Sequence, residues 1–533
     1  MVLKLILIVA ALALPAFTQT PPVEPGVSHT LAKWRASHYS DVRYKLNLTL
    51  EKMSPVLKGT IEISVNVSPL PKGTQFGTGL TAGVHDDSMP PVILDWRSIK
   101  GYEDRSTISK VSLNGIDTPR SFPGGPDFAG PVYTIENEHI VFLGGTKPGE
   151  NVIKLDFTSP ILTSGSAITR YVDKEDGAEY IYSLFVPSDA STAFPVFDQP
   201  DLKARFSINV IYPKDWKFVT NTDALLYDRR QFLDPFNPQD TFPSMEFSWA
   251  TFKETKPIST YVFAFAAGPF EEFNQTQPRS KADLEEIEIL RNRGMIVDPV
   301  NFSRLLEESP GYRTKVYVRK SQAERFKPHA AEVFRLNREG IKYLESYFDY
   351  KFPFPKYDLV LIPEFPFGGM EHAGATFLRE DRVIFPTEPT KNDHITRANL
   401  IFHEAAHQWF GDTVTMKWFD DLWLKEGFAE FMAYKALEKV MPEYNAWKIF
   451  YERNKQAAYL TDSTKGTTPI YQEIKNLNSA KSAYGNIVYR KAPSFLKQAE
   501  FYIGPDKFQT AVRAFLKKHE VCECEVDGSG EGI

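Results

Sequence analysis

The sequence predicts a multidomain chain, with an N-terminal all-β domain followed by an α+β domain that carries the chemistry. Three observations predict it. Between about Tyr44 and Phe270 the apolar residues fall in short runs, alternating or continuous, punctuated by Pro, Gly and Asp. After Lys315 strand-like runs mix with longer helical patterns. Within that second region stands His403-Glu404-Ala405-Ala406-His407, and Glu426 follows nineteen residues past His407.

Taken in order, the first residues read as a secretory leader. Lys4 supplies a positive charge, Leu5–Leu14 is apolar and too short to span a bilayer, and Ala16-Phe17-Thr18 offers a cleavage site. Residues 1–18 are therefore expected to be a signal peptide, which places the mature chain outside the cytoplasm, secreted or periplasmic, with no stable membrane insertion after cleavage. Residues 19–34 are Pro-rich at their start and expected to be an extended linker. The β domain should occupy 35–273, with strands in YKLNLTLEK (44–52), GTIEISVNVS (59–68), NVIKLDFTS (151–159), RFSINVIYP (205–213) and STYVFAFAAG (259–268). Residues 274–312 are more polar and read as an insertion, with a surface helix suggested by Leu284, Ile287 and Leu290.

The second domain should span 313–517. It opens with the strand KVYVR and a helix from about Pro328, whose apolar stripe is Phe334, Ile341, Leu344 and Phe348. The strand YDLVLIP and the Gly368-Gly369-Met370-Glu371-His372 segment precede the two motif helices. A last amphipathic helix, DKFQTAVRAFLKKH, leads into an acidic, Gly-rich tail, 518–533, expected to lack fixed structure. The tail holds both cysteines, Cys522 and Cys524, which at this spacing are poorly placed to bond to each other.

The chain has 533 residues, 42% hydrophobic and 24% charged, which is material for large cores. A net charge of −6 gives no electrostatic case for nucleic acid. The chemistry is carried instead by the HExxH pattern. Histidines at i and i+4 share one helical face, so both imidazoles can reach one ion. A carboxylate from a second helix completes a His2Glu set and leaves a position for water or substrate, the layout of a hydrolytic zinc site. His403, His407 and Glu426 are thus the expected ligands of one zinc ion per chain, and Glu404, about 100° round the helix, the expected general base. A surface helix carrying two histidines by chance is disfavoured by the flanking Leu400, Ile401, Phe402, Trp409 and Phe410, which predict burial.

With these residues in place, the chain resembles the M1 zinc aminopeptidases, a thermolysin-like metallopeptidase group that includes leukotriene A4 hydrolase. They carry HExxH, a Glu at this spacing and an upstream G-x-M-E-N segment. The resemblance extends to AFPVFDQPDLKARF (193–206) and to IVYRKAPSFLKQ, where Tyr489 matches the family's catalytic tyrosine. It implies that Glu371, with Gly368, Gly369 and Met370, binds the free α-amine of a peptide substrate, and that Tyr489 donates to the oxyanion. Four departures stand out. His372 replaces the family's Asn, Leu184 and Val186 replace polar residues, Lys425 stands where the family has Asn before the third ligand, and Lys491-Ala492-Pro493 replaces its Lys-Gly. Members of the family usually continue into a C-terminal helical domain, which this chain is expected to lack after about residue 517. The expected function is zinc-dependent hydrolysis of the N-terminal peptide bond of peptides with a free N-terminus. The alternatives are a non-catalytic relative that binds peptides, and a bifunctional hydrolase like the leukotriene enzyme.

Overall fold

The computed structural model describes residues 21–70, 89–122, 130–228, 246–274, 313–520 and 523–524. The leader and the expected surface helix at 284–290 lie outside the described residues. Among the described residues no helix is long and apolar enough to cross a membrane.

The N-terminal half is built on a large sheet. Its central strands Tyr39–Thr49, Val56–Val67 and Gly149–Pro160 pair antiparallel, and Ala204–Pro213 runs parallel to the first of them. Alternation decides which face is buried: Ile61, Ile63, Val65 and Val67 point inward while Glu62 and Ser64 are half-exposed. A four-stranded sheet (Lys217–Thr220, Phe265–Gly268, Glu179–Ser183, Ile168–Val172) packs its apolar residues into the same core. The predicted strand at 259–268 is only half a strand. Thr260–Val262 forms a 3-10 turn, and pairing begins at Phe265. A continuous apolar run cannot separate the two.

Two boundaries move. The stretch expected to be linker up to residue 34 contains most of a helix, His29–His38, capped by Ser28, whose side chain accepts from Leu31 N. Its Trp34 and Arg35 are fully buried, and Arg35 forks onto Asp95 at 2.6 and 2.9 Å. That tertiary pair overrides the Pro-rich character of the preceding residues. At the other end, Phe270–Asn274 belongs to the second domain, pairing antiparallel with Lys315–Arg319.

The second domain's sheet runs in the order Phe270–Asn274, Lys315–Arg319, Asp358–Ile362, Ala375–Arg379, Gly369–Met370, with the last strand antiparallel at the edge. The helix Ala323–Phe348 starts five residues before the predicted Pro328. It meets the HExxH helix, Lys391–His407, at Gly340, where a Cβ would lie 2.5 Å from the ring of Phe402. The close approach builds a second core from Leu336, Ile341, Leu344, Ile401, Phe428 and Phe431. The last predicted helix is Pro505–His519. Beyond it, in the tail expected to lack structure, Glu523–Cys524 pairs with Thr415–Met416. Backbone hydrogen bonds to the short strand Thr415–Met416 hold the segment whatever its side chains.

Candidate metal centre

The HExxH helix begins with a capping box. Thr390 accepts from Asp393 N, and the Asp393 carboxylate accepts from Thr390 N. Its last turn carries His403, Glu404 and His407, all buried. The helix Leu422–Val440 lies against it and supplies Glu426. The two Nε2 atoms of His403 and His407 are 3.0 Å apart, and Glu426 Oε2 lies 3.4 and 3.3 Å from them. Donors about 2.0–2.1 Å from a tetrahedral zinc ion would be separated by about 3.3 Å, so the three atoms fit one ion.

The outer ring nitrogens are also committed. His403 Nδ1 meets Glu430 Oε2 at 3.0 Å, and His407 Nδ1 donates to the carbonyl of Phe410 at 3.0 Å. Such partners set the tautomer that leaves Nε2 free to ligate. Glu430 is itself held by Asn454 Nδ2 at 3.0 Å. Sequence reasoning missed Glu430, although its place one turn beyond Glu426, on the same helical face, was a usable signal.

Glu404 faces the edge strand. Its Oε2 is buried without a hydrogen-bond partner, and a Cβ on Gly369 would come within 2.6 Å of its Cδ. Burial, reinforced by the Glu371 and Glu426 carboxylates against His403, pushes its carboxyl well above the usual range. Glu371 follows Met370 at the end of that strand, and its carboxylate gathers with those of Glu404 and the His407 ring. Gly368 packs beside Leu400. Tyr489 lies on a π-helical turn, Ile487–Lys491, and its ring centre is 6.1 Å from that of His403. Gly427 admits this turn: a Cβ there would lie 2.7 Å from Ala492 Cβ and 3.1 Å from the Val488 carbonyl. The structure thus brings His403, His407, Glu426, Glu404, Glu371 and Tyr489 around one buried site.

Two departures from the family pattern have a physical outcome. His372 is fully buried, edge-on to Phe377 at 4.4 Å, and burial followed by the nearby Lys425 charge pulls it down to about 3, so it is neutral. Lys425 is buried with its Nζ 2.6 Å from Glu371 Oε1 and 3.1 Å from Glu426 Oε1. Burial works against its charge, but Glu371, Tyr484 and Glu426 raise its pKa well above the ordinary value.

The N-terminal half closes on this centre. Tyr261 donates to the Gly411 carbonyl at 3.0 Å, Lys203 to that of Thr413 at 2.8 Å, and Asn221 Nδ2 to that of Ala373 at 2.8 Å. The β domain therefore fixes the loop after His407 and the segment after Glu371.

Comparison with known proteins agrees with this architecture. The peptidase family M1 domain matches residues 333–527, and the peptidase M1 N-terminal domain matches 125–262. Aminopeptidase N of Streptomyces lividans is 31% identical over 418 residues, which is 78% of this chain and 41% of that protein. Probable aminopeptidase 1 of Sulfurisphaera tokodaii is 32% identical over 348 residues, 65% of this chain and 38% of that protein. Glutamyl aminopeptidase of Sus scrofa is 28% identical over 354 residues, 66% of this chain and 32% of that protein. The two-domain fold carries a buried His2Glu group that could hold a metal ion. The chain belongs to peptidase family M1. It spans less than half the length of these relatives.

Proposed function

We propose that this protein is a zinc-dependent aminopeptidase, hydrolysing the first peptide bond of peptide substrates. The observation that carries the proposal is the convergence of His403 Nε2, His407 Nε2 and Glu426 Oε2 within 3.0–3.4 Å, with both outer nitrogens anchored. These three residues would hold the zinc, which when bound polarises a carbonyl and acidifies water. Glu404 takes the proton of the attacking water at its carboxylate and passes it to the leaving amine. The Tyr489 phenol donates to the oxyanion that develops on the scissile carbonyl. Glu371 orients the N-terminal end of the substrate. The relatives named as aminopeptidases support the reading of the activity. The apolar leader at 5–14 supports export, which signal-sequence deletion and fractionation of the expressing cell would test.

The test is metal content together with the position of cleavage. The purified protein should hold one zinc per chain by plasma emission and release the first residue of a peptide, read by mass spectrometry. His407→Ala should remove both. Full zinc occupancy in His407→Ala would overturn the metal assignment, and internal cleavage alone would replace the aminopeptidase reading with an endopeptidase.

A further inference from the structure

Lys425 occupies an unusual place for a lysine. It lies one residue before a metal ligand, its side chain is 1% exposed, and its ammonium bridges Glu371 Oε1 and Glu426 Oε1 at 2.6 and 3.1 Å. The rings of Tyr261 and Tyr484 flank it, with Nζ 4.6 and 5.7 Å from their centres. The Gly411 backbone packs on its stem, since a Cβ there would lie 3.4 Å from Lys425 Cγ. A lysine enclosed in this way cannot swing into solvent to vacate Glu371.

We propose that Lys425 is a resident cation on Glu371, set where a substrate's α-ammonium would pair, and that the protein therefore accepts charged and neutral N-termini with little discrimination. The inference rests on the reading of Glu371 as the N-terminal anchor. The Lys425 ammonium, shared between Glu371 and Glu426, already offsets much of the Glu371 charge. A second ammonium brought to Glu371 meets Lys425 at close range, and like charges in a water-poor site repel strongly. An acetylated or otherwise neutral N-terminus meets no such repulsion and can accept a hydrogen bond from the same ammonium. The substrate class is thus widened from free-amine peptides to peptides with a blocked first residue.

Binding decides this without turnover. L-leucine hydroxamate and its N-acetyl counterpart carry the same zinc-chelating group and differ only at the amine. Calorimetry on the zinc-loaded protein should give dissociation constants within about threefold of each other, whereas an unshared anchor would favour the free amine by about a hundredfold. Lys425→Asn, which removes the cation and keeps a polar side chain, should bind the free-amine ligand at least about tenfold more tightly than the acetylated one. Adding Glu371→Gln to that variant should abolish the preference. Zinc content and thermal melting report whether the variants fold, and Lys425→Met serves as a second replacement. A hundredfold free-amine preference in the parent protein overturns the proposal, and so does an unchanged ratio in folded Lys425→Asn. Should the zinc-loaded protein cleave no peptide, the hydrolase reading fails, while the ratio of the two hydroxamates still decides the role of Lys425.

Discussion

Gly369 lies against the carboxylate of Glu404 so closely that any side chain at 369 would occupy the space the carboxylate fills, with Cβ 2.6 Å from Glu404 Cδ. The edge strand and the HExxH helix are thus matched at one glycine. Gly369→Ala should displace the Glu404 carboxylate without touching the ligand set. Displacement of a catalytic group by about 1 Å costs roughly 10²-fold in rate. Peptide hydrolysis should fall on that scale while plasma emission still finds one zinc per chain. Undiminished turnover would mean that Glu404 has room to work elsewhere.

Glu404→Gln keeps the shape of the side chain and removes its ability to take a proton. Zinc should remain, and turnover should fall by about 10²–10⁴-fold, the usual contribution of a positioned base. Steady-state kinetics beside metal analysis separates this from loss of the ion.

Tyr489→Phe should lower kcat more than it raises KM, because the oxyanion is absent from the ground state. The expected loss is about 3 kcal/mol of transition-state stabilisation. A change confined to KM would mean that the phenol contacts substrate uniformly or only packs.

Glu430→Ala removes the partner of His403 Nδ1 at 3.0 Å and leaves all three ligands in place. Zinc affinity should weaken by about 10–100-fold. Competition with a chelator of known affinity measures it, and an unchanged constant would show that His403 needs no carboxylate to orient it.

Asp198 is buried, accepts from Ser191 N at 2.8 Å and from Thr260 Oγ1 at 3.0 Å, and burial pushes it up to about 7. The unfolded chain would release this proton near the ordinary carboxylate pKa of about 3.9. Between those values the folded state binds the extra proton, so rising pH favours unfolding, and the penalty is complete above about 7. Asp198→Asn should therefore show a smaller drop in melting midpoint between pH 5 and pH 8 than the parent protein. Parallel profiles would assign the slope to other groups.

Much of the centre was legible because its information is local. His403 and His407 share a face through helical periodicity alone, and the apolar flanks of the motif foretell its burial. The strands Val56–Val67 and Gly149–Pro160 announce themselves by alternation for the same reason. Segments whose state depends on a distant partner read less well. The helix His29–His38 follows a Pro-rich stretch, and its Arg35 is buried by Asp95, sixty residues away. Phe270–Asn274 has the pattern of the β domain but finds its partner strand in the next one.

The sequence by itself determined the candidate ligand set, the proposed base and the order of the two domains, since helical and strand periodicities place side chains on faces without reference to the rest of the chain. Only the tertiary structure decided what those groups meet. Which carboxylate orients His403, which glycine admits Tyr489, and which cation is paired with Glu371 all depend on distances across separate elements. Read along the chain, Lys425 is only a substitution beside a ligand. Its pairing with Glu371, more than fifty residues upstream, exists because the edge strand and the Leu422–Val440 helix are packed against the same HExxH helix. Coulomb interactions at 2.6 Å are set by that packing, and sequence spacing carries no trace of them.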